Sequence, residues 1–141
     1  MANSLPGSPI VGYYNKDKED FLSHEQEMVI TEDEVMFKSI TVPYGFVDTN
    51  AKVWFQWFLD DGCVEREYLV TEGYIWTGRY PEARRIITQG NNQSMELDEN
   101  FLDGVWSKDN NGKPQFFIIN EAIISALCVL GEEKEPCFEG A

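Results

Sequence analysis

The sequence predicts an α+β fold that is mainly β: a curved sheet or small antiparallel β-barrel flanked by one or two or more short helices. Three observations predict it. Short apolar runs with strand periodicity recur along the chain. One stretch, residues 81–90, carries a clear helical pattern instead. Turn signals separate the runs, chiefly Asp60-Asp61-Gly62 and Asn110-Asn111-Gly112. So many short strands need protected edges, which a curved or closed sheet supplies.

Taken in order, residues 4–8 are turn chemistry and residues 9–14 (PIVGYY) read as a strand. Residues 15–20 are charged and read as a loop, followed by FLSHE, which holds the one histidine, His24. Residues 28–30 and 34–40 read as strands around the acidic turn Thr31-Glu32-Asp33. Pro43 and Gly45 make residues 41–47 an edge or bent strand. Residues 52–59 alternate Val53, Phe55, Trp57 and Leu59 with Trp54 and Phe58, so both faces are expected to be covered. Residues 63–76 read as one long returning strand with a bulge at Gly73.

The segment PEARRIITQGNNQSMEL, residues 81–97, is the most tightly specified. Pro81 suits a first helical position, where its missing N–H costs nothing. Ala83, Ile86 and Ile87 form one apolar face. Gly90 suits a left-handed helix stop. Met95 and Leu97 then alternate with Ser94 and Glu96, the period of a half-buried strand. Residues 98–104 read as a loop, and residues 105–107 and 115–119 as a hairpin. Residues 118–130 close the core, either as helix then strand or as strand throughout.

Length and composition place the chain as a single domain, 1–141, with a core over 9–131 and an acidic tail over 132–141. It is expected to be excised from a longer protein. Eleven Lys and Arg against 25 Asp and Glu leave a net charge of −14. Such a surface repels phosphate backbones and anionic lipid, so neither nucleic acid nor membrane is an expected partner. The three cysteines, Cys63, Cys128 and Cys137, fit no zinc spacing and point to a reducing compartment. Asp98, Asn100 and Asp103 match a calcium loop only loosely, because Leu102 occupies a ligand position. No metal and no cofactor are expected.

Ser94 stands where the chain leaves a helix and opens a strand, a plausible place for a nucleophile but, on local chemistry alone, more commonly that of an ordinary turn serine. His24, by itself most simply a surface-loop histidine, is the candidate base; a serine nucleophile needs such a base within hydrogen-bond reach. Glu121 interrupts an apolar run, where an unpaired carboxylate is costly unless it faces solvent. A cysteine enzyme would instead pair His24 with Cys63, Cys128 or Cys137, although Cys128 between Leu127 and Val129 reads as core packing. Arg84 and Arg85 could steady an anionic intermediate, or simply be solvated charges.

Residues 72–96, EGYIWTGRYPEARRIITQGNNQSME, resemble the core of the prohead (capsid maturation) serine proteases of tailed bacteriophages. In that family a strand leads to a short helix and then to a serine-bearing strand. Residues 116–141 and the early segment PIVGYYNKDKEDFLSHE, with its Asp20-Phe21 pair, extend the likeness over most of the chain. The resemblance implies a fold like the herpesvirus assembly proteases, a small β-barrel surrounded by helices. It implies Ser94 as nucleophile, His24 as base and an acidic third member, carried over to Glu121. The Met95 N–H could serve an oxyanion. The implied partners are phage scaffold and major capsid proteins and, by analogy with the herpesvirus enzymes, a second copy in a homodimer. The implied place is the procapsid interior in the host cytoplasm. A catalytically inactive structural protein on the same fold, scaffold or head component, is the alternative, followed by an unrelated acidic binding module.

Overall fold

The structure, a computed structural model, describes residues 1–59 and 62–137. Its strands are β1 (Pro9–Gly12), β2 (Tyr14–Asn15), β3 (Asp20–Phe21), β4 (Gln26–Ile30), β5 (Val35–Ser39), β6 (Val42–Val47), β7 (Val53–Leu59), β8 (Glu65–Thr71), β9 (Gly73–Ile75), β10 (Gln93–Leu97), β11 (Asp103–Lys108), β12 (Pro114–Glu121) and β13 (Ile124–Val129). One short helix, α1 (Arg84–Thr88), follows a 3-10 turn over Pro81–Ala83. The domain is mainly β.

A five-stranded sheet in the order β10-β13-β1-β6-β9 forms the body. The β1–β13 pair is parallel and the others are antiparallel. Both faces of β13 carry core, because alternate side chains point to opposite sides. Val129 packs with Phe21, Tyr44 and Ala83, against which Ile10, Ile75, Tyr80 and Ile86 lean. Ala126, Cys128 and Leu130 pack with Val11. The helix thus uses Ala83 and Ile86 to cover the first face, as their spacing predicts, while Ile87 stays 64% exposed. Gly90 has φ +77°, the expected helix stop.

Phe21 is the wedge of this core. It is 1% exposed and meets Tyr14 and Tyr44 edge-on, with ring centroids 5.4 and 5.1 Å away. Two glycines let it in. A Cβ on Gly12 would stand 2.9 Å from the Phe21 ring, and one on Gly131 would collide with the Phe21 carbonyl oxygen. The neighbouring Asp20 is tied as well: its carboxylate accepts the Glu132 N–H at 2.9 Å and pairs with Arg85 at 3.3 Å. Arg85 also pairs with Glu132. It therefore fastens the start of the tail to β3 and is not a solvated charge.

Several expectations are corrected. Among the described residues the strands close no barrel: β10 and β9 are the edges of an open sheet. The remaining strands pair locally as separate ribbons, β2 with β3, β4 with β5, β7 with β8 and β11 with β12. Tight turns bring sequence neighbours together first, and an apolar pattern does not say which partner a strand takes. β7 was expected to be covered on both faces, yet Phe55, Trp57 and Leu59 are more than 60% exposed because its ribbon stands off the body. The β6 strand is bent but is no edge. It lies between β1 and β9, and its register skips Tyr44, so that Ile10 faces Gly45 while Val11 faces Pro43. β9 reaches only Gly45–Val47, so Pro43 owes it no hydrogen bond. The expected long strand over residues 63–76 breaks before Gly73, where the chain leaves β7's ribbon for the main sheet. Residues 118–130 are strand throughout, interrupted at Ala122 and Ile123. Of the predicted turn Asp60-Asp61-Gly62, the two aspartates lie outside the described residues.

Replacing Phe21 by Ala should destabilise the domain by about 3–5 kcal/mol, the usual cost of deleting a buried aromatic ring. Urea denaturation of wild type and variant measures it. A loss under about 1 kcal/mol would show that the core does not hinge on this ring.

Candidate functional site

The wedge positions His24. Three residues beyond Phe21, the chain is pinned at both ends of a short arch. The Leu22 N–H donates to the Tyr13 carbonyl at 2.8 Å, and the Leu22 carbonyl accepts the Gly131 N–H at 3.1 Å. At the far end the Glu25 carbonyl accepts the Ile40 N–H at 3.0 Å. Held between these bonds, His24 reaches the edge strand β10, where its Nδ1 lies 3.0 Å from Glu96 Oε1. The two side chains are 31% and 27% exposed, so the pair lies at the protein–water boundary.

Glu96 follows Ser94 by two residues on β10, so both side chains take the same face. The register sets Ser94 opposite Cys128 and Glu96 opposite Ala126. Ser94 is 5% exposed and Cys128 is fully buried. One potential ligand atom from each of His24, Glu96 and Cys128 lies within 4.8 Å of the other two. A nucleophile-type serine, an imidazole, a carboxylate and a thiol thus share one small region, delivered by the arch, β10 and β13.

Burial pushes the Cys128 thiol up to about 12, and the negative charges of Glu96 and Glu25 add to the shift. Its Sγ donates to the Val129 carbonyl, at 3.7 Å. Near neutral pH it is a protonated, shielded thiol, the opposite of an activated cysteine nucleophile. Cys63 and Cys137 are exposed. Tyr44 is also shifted upward, by burial first and then by Glu82, whose carboxylate accepts its hydroxyl at 3.2 Å.

The carboxylate on Nδ1 orients the His24 ring and leaves Nε2 for another partner, as in the orienting half of a catalytic triad. No hydrogen bond joins His24 to Ser94 among the described residues. Glu121 ends β12, exposed and opposite Asp103 on the outlying β11–β12 ribbon. The carboxylate beside His24 is Glu96, which sequence reasoning passed over. The signal was present in the alternation of residues 94–97, which puts Glu96 on the face of Ser94. Met95 takes its place in the ladder opposite Leu127. Asp98 accepts the Asn100 N–H at 2.9 Å and so caps a 3-10 turn.

A cavity of about 880 Å³ opens between the main sheet and the β7–β8 ribbon, lined by Ile10, Phe58, Val70, Ile75, Ile86 and Leu127 among others. It includes Gln93, whose side chain alternates with that of Ser94, and of the site residues Cys128 alone lines it, while His24, Ser94 and Glu96 do not. No helix of the described residues is long and apolar enough to cross a membrane.

No curated protein and no solved structure matches the chain. A family model described as the YonD N-terminal domain matches residues 1–141, and the chain belongs to that family.

Two outcomes are expected. A thiol-alkylating reagent at neutral pH should label Cys63 and Cys137 rapidly and Cys128 only on unfolding, as read by mass spectrometry of digested protein. Rapid labelling of all three would contradict the burial of Cys128. Second, stability should fall in alkali. The folded state holds the Cys128 proton that the unfolded chain releases above 9, the ordinary thiol value, so this contribution is full below 9 and is lost between 9 and about 12. Denaturant melts across that range should show the decline, and Cys128→Ala should make it shallower.

Proposed function

We propose that this member of the YonD N-terminal domain family is a serine endopeptidase of the phage head-maturation type. The observation that carries the reading is the His24 Nδ1–Glu96 Oε1 bond of 3.0 Å, two residues from Ser94 on the same strand face. His24 Nε2 would take the Ser94 Oγ proton as Oγ attacks a peptide carbonyl. The same imidazolium would protonate the leaving amine, and water would then hydrolyse the acyl-enzyme. Glu96 stabilises the imidazolium in the role the resemblance had carried to Glu121. Resting enzymes often hold serine and base more loosely than the working complex does.

Scaffold and capsid-protein segments inside the procapsid are the substrates that go with this reading. A herpesvirus-protease-like arrangement goes with it too, with the five-stranded sheet as the wall that carries nucleophile and base. Self-association belongs to the same reading. It is supported by the apolar side chains on the outlying ribbons, including Phe37, Trp57 and Trp106, each about 60% exposed or more. The net charge of −14 suits a domain kept soluble at high local concentration.

A second reading is a catalytically inactive head or scaffold component on the same fold. The low exposure of Ser94 and the lack of a bond to His24 among the described residues favour it.

Scaffold cleavage in a reconstituted procapsid assembly separates the two. On the peptidase reading, Ser94→Ala and His24→Ala each lower cleavage by at least about 10³-fold, and Glu96→Gln by less. Cleavage unchanged by Ser94→Ala would leave the structural reading.

A further inference from the structure

We infer that His24, Glu96 and Cys128 form a binding site for a single zinc-class divalent cation. The three residues come from three separate elements, the arch after β3, β10 and β13, so no sequence spacing announces them. Each offers one ligand atom, and the three atoms lie within 4.8 Å of one another. Nδ1 of His24 and Oε1 of Glu96 are 3.0 Å apart. Metal–ligand bonds of about 2.0–2.3 Å in a tetrahedron put neighbouring ligands roughly 3–4 Å apart. The imidazole–carboxylate pair already has that spacing, and a rotamer adjustment of about an ångström would complete it.

The donor set selects the metal. Imidazole, carboxylate and thiol together suit zinc, whereas calcium and magnesium take oxygen ligands. On ligation Cys128 gives up a weak 3.7 Å contact to the Val129 carbonyl and its thiol proton, which is released to solvent as the S–metal bond forms. Glu25 adds negative charge near the thiol, which favours a cation. Val11, Ala126 and Leu130 pack behind the thiol and keep water from that side. His24 and Glu96 are each about a quarter to a third exposed, so a fourth position faces solvent. Three protein ligands with one open position is the arrangement of a reactive or exchangeable zinc, unlike a closed structural one.

The site is independent of the peptidase reading, because binding is measured without substrate. On that reading a bound cation would hold the His24 ring and withhold it from Ser94, so zinc would act as a reversible brake on cleavage.

The test uses the full chain with the exposed thiols removed (Cys63→Ser, Cys137→Ser), which leaves Cys128 as the single cysteine. Cobalt(II) is added as a spectroscopic probe and zinc(II) as competitor. The expected result is one equivalent bound, tetrahedral ligand-field bands, a thiolate-to-cobalt charge-transfer band, and displacement by zinc. Cys128→Ser should abolish the charge-transfer band. Loss of an outer-shell partner alone typically costs about 10–100-fold in affinity, so His24→Ala and Glu96→Gln should each cost at least that. Both lie at the surface, so they keep the test valid if the core substitution Cys128→Ser unfolds the domain. An absence of binding, an octahedral spectrum without charge transfer, or affinity unchanged by His24→Ala would each overturn the assignment.

Discussion

The wedge of Phe21 between Gly12 and Gly131 is the constraint on which the rest depends. The ring fills the face of the sheet that Val129, Tyr44 and Ala83 also build. Its two neighbours meanwhile tie β3 to the segment after β13: the Asp20 carboxylate accepts the Glu132 N–H, and the Leu22 carbonyl accepts the Gly131 N–H. This closure lets a parallel β1–β13 pair form at the sheet's centre, since the first and last strands must lie side by side. A methyl group at Gly131 would collide with the Phe21 carbonyl, so closure tolerates no side chain there.

The candidate site is a by-product of that closure. His24 is only three residues past the wedge, and its arch is held by bonds that Gly131 and Tyr13 make to Leu22. β10 meets it because β10 pairs with β13, the strand on which the closure is built. The polar groups that result sit against an apolar wall, which explains the upward shift of the Cys128 thiol. Partial exposure of the His24–Glu96 contact keeps it a modest contributor to stability. Its interest lies in the ring orientation it enforces.

The outlying ribbons follow a different logic. A two-stranded ribbon alone is marginal in water, yet β4–β5, β7–β8 and β11–β12 carry exposed Phe37, Phe55, Trp57, Trp106 and Phe116. Cross-strand contacts such as Phe58 with Tyr68 and Trp106 with Phe117 hold each ribbon internally. The body of the domain does not bury them.

By itself the sequence determined what is local. Pro81, the Ala83–Ile86 spacing, Gly90 and the alternation of residues 94–97 specify a helix stop and a strand start, because capping and side-chain period act over a few residues. The Asn110-Asn111-Gly112 turn and the strand-rich character were legible for the same reason. Ser94 and His24 stood out in the sequence as candidates by side-chain type, and the structure brings His24 to the strand of Ser94. Only the tertiary structure decided which strands share a sheet, that the sheet stays open among the described residues, and that Glu96 rather than Glu121 stands beside the imidazole. The β1–β13 pairing and the meeting of His24, Glu96 and Cys128 join positions more than about a hundred residues apart, and what holds them is the closure around one aromatic ring buried between two glycines.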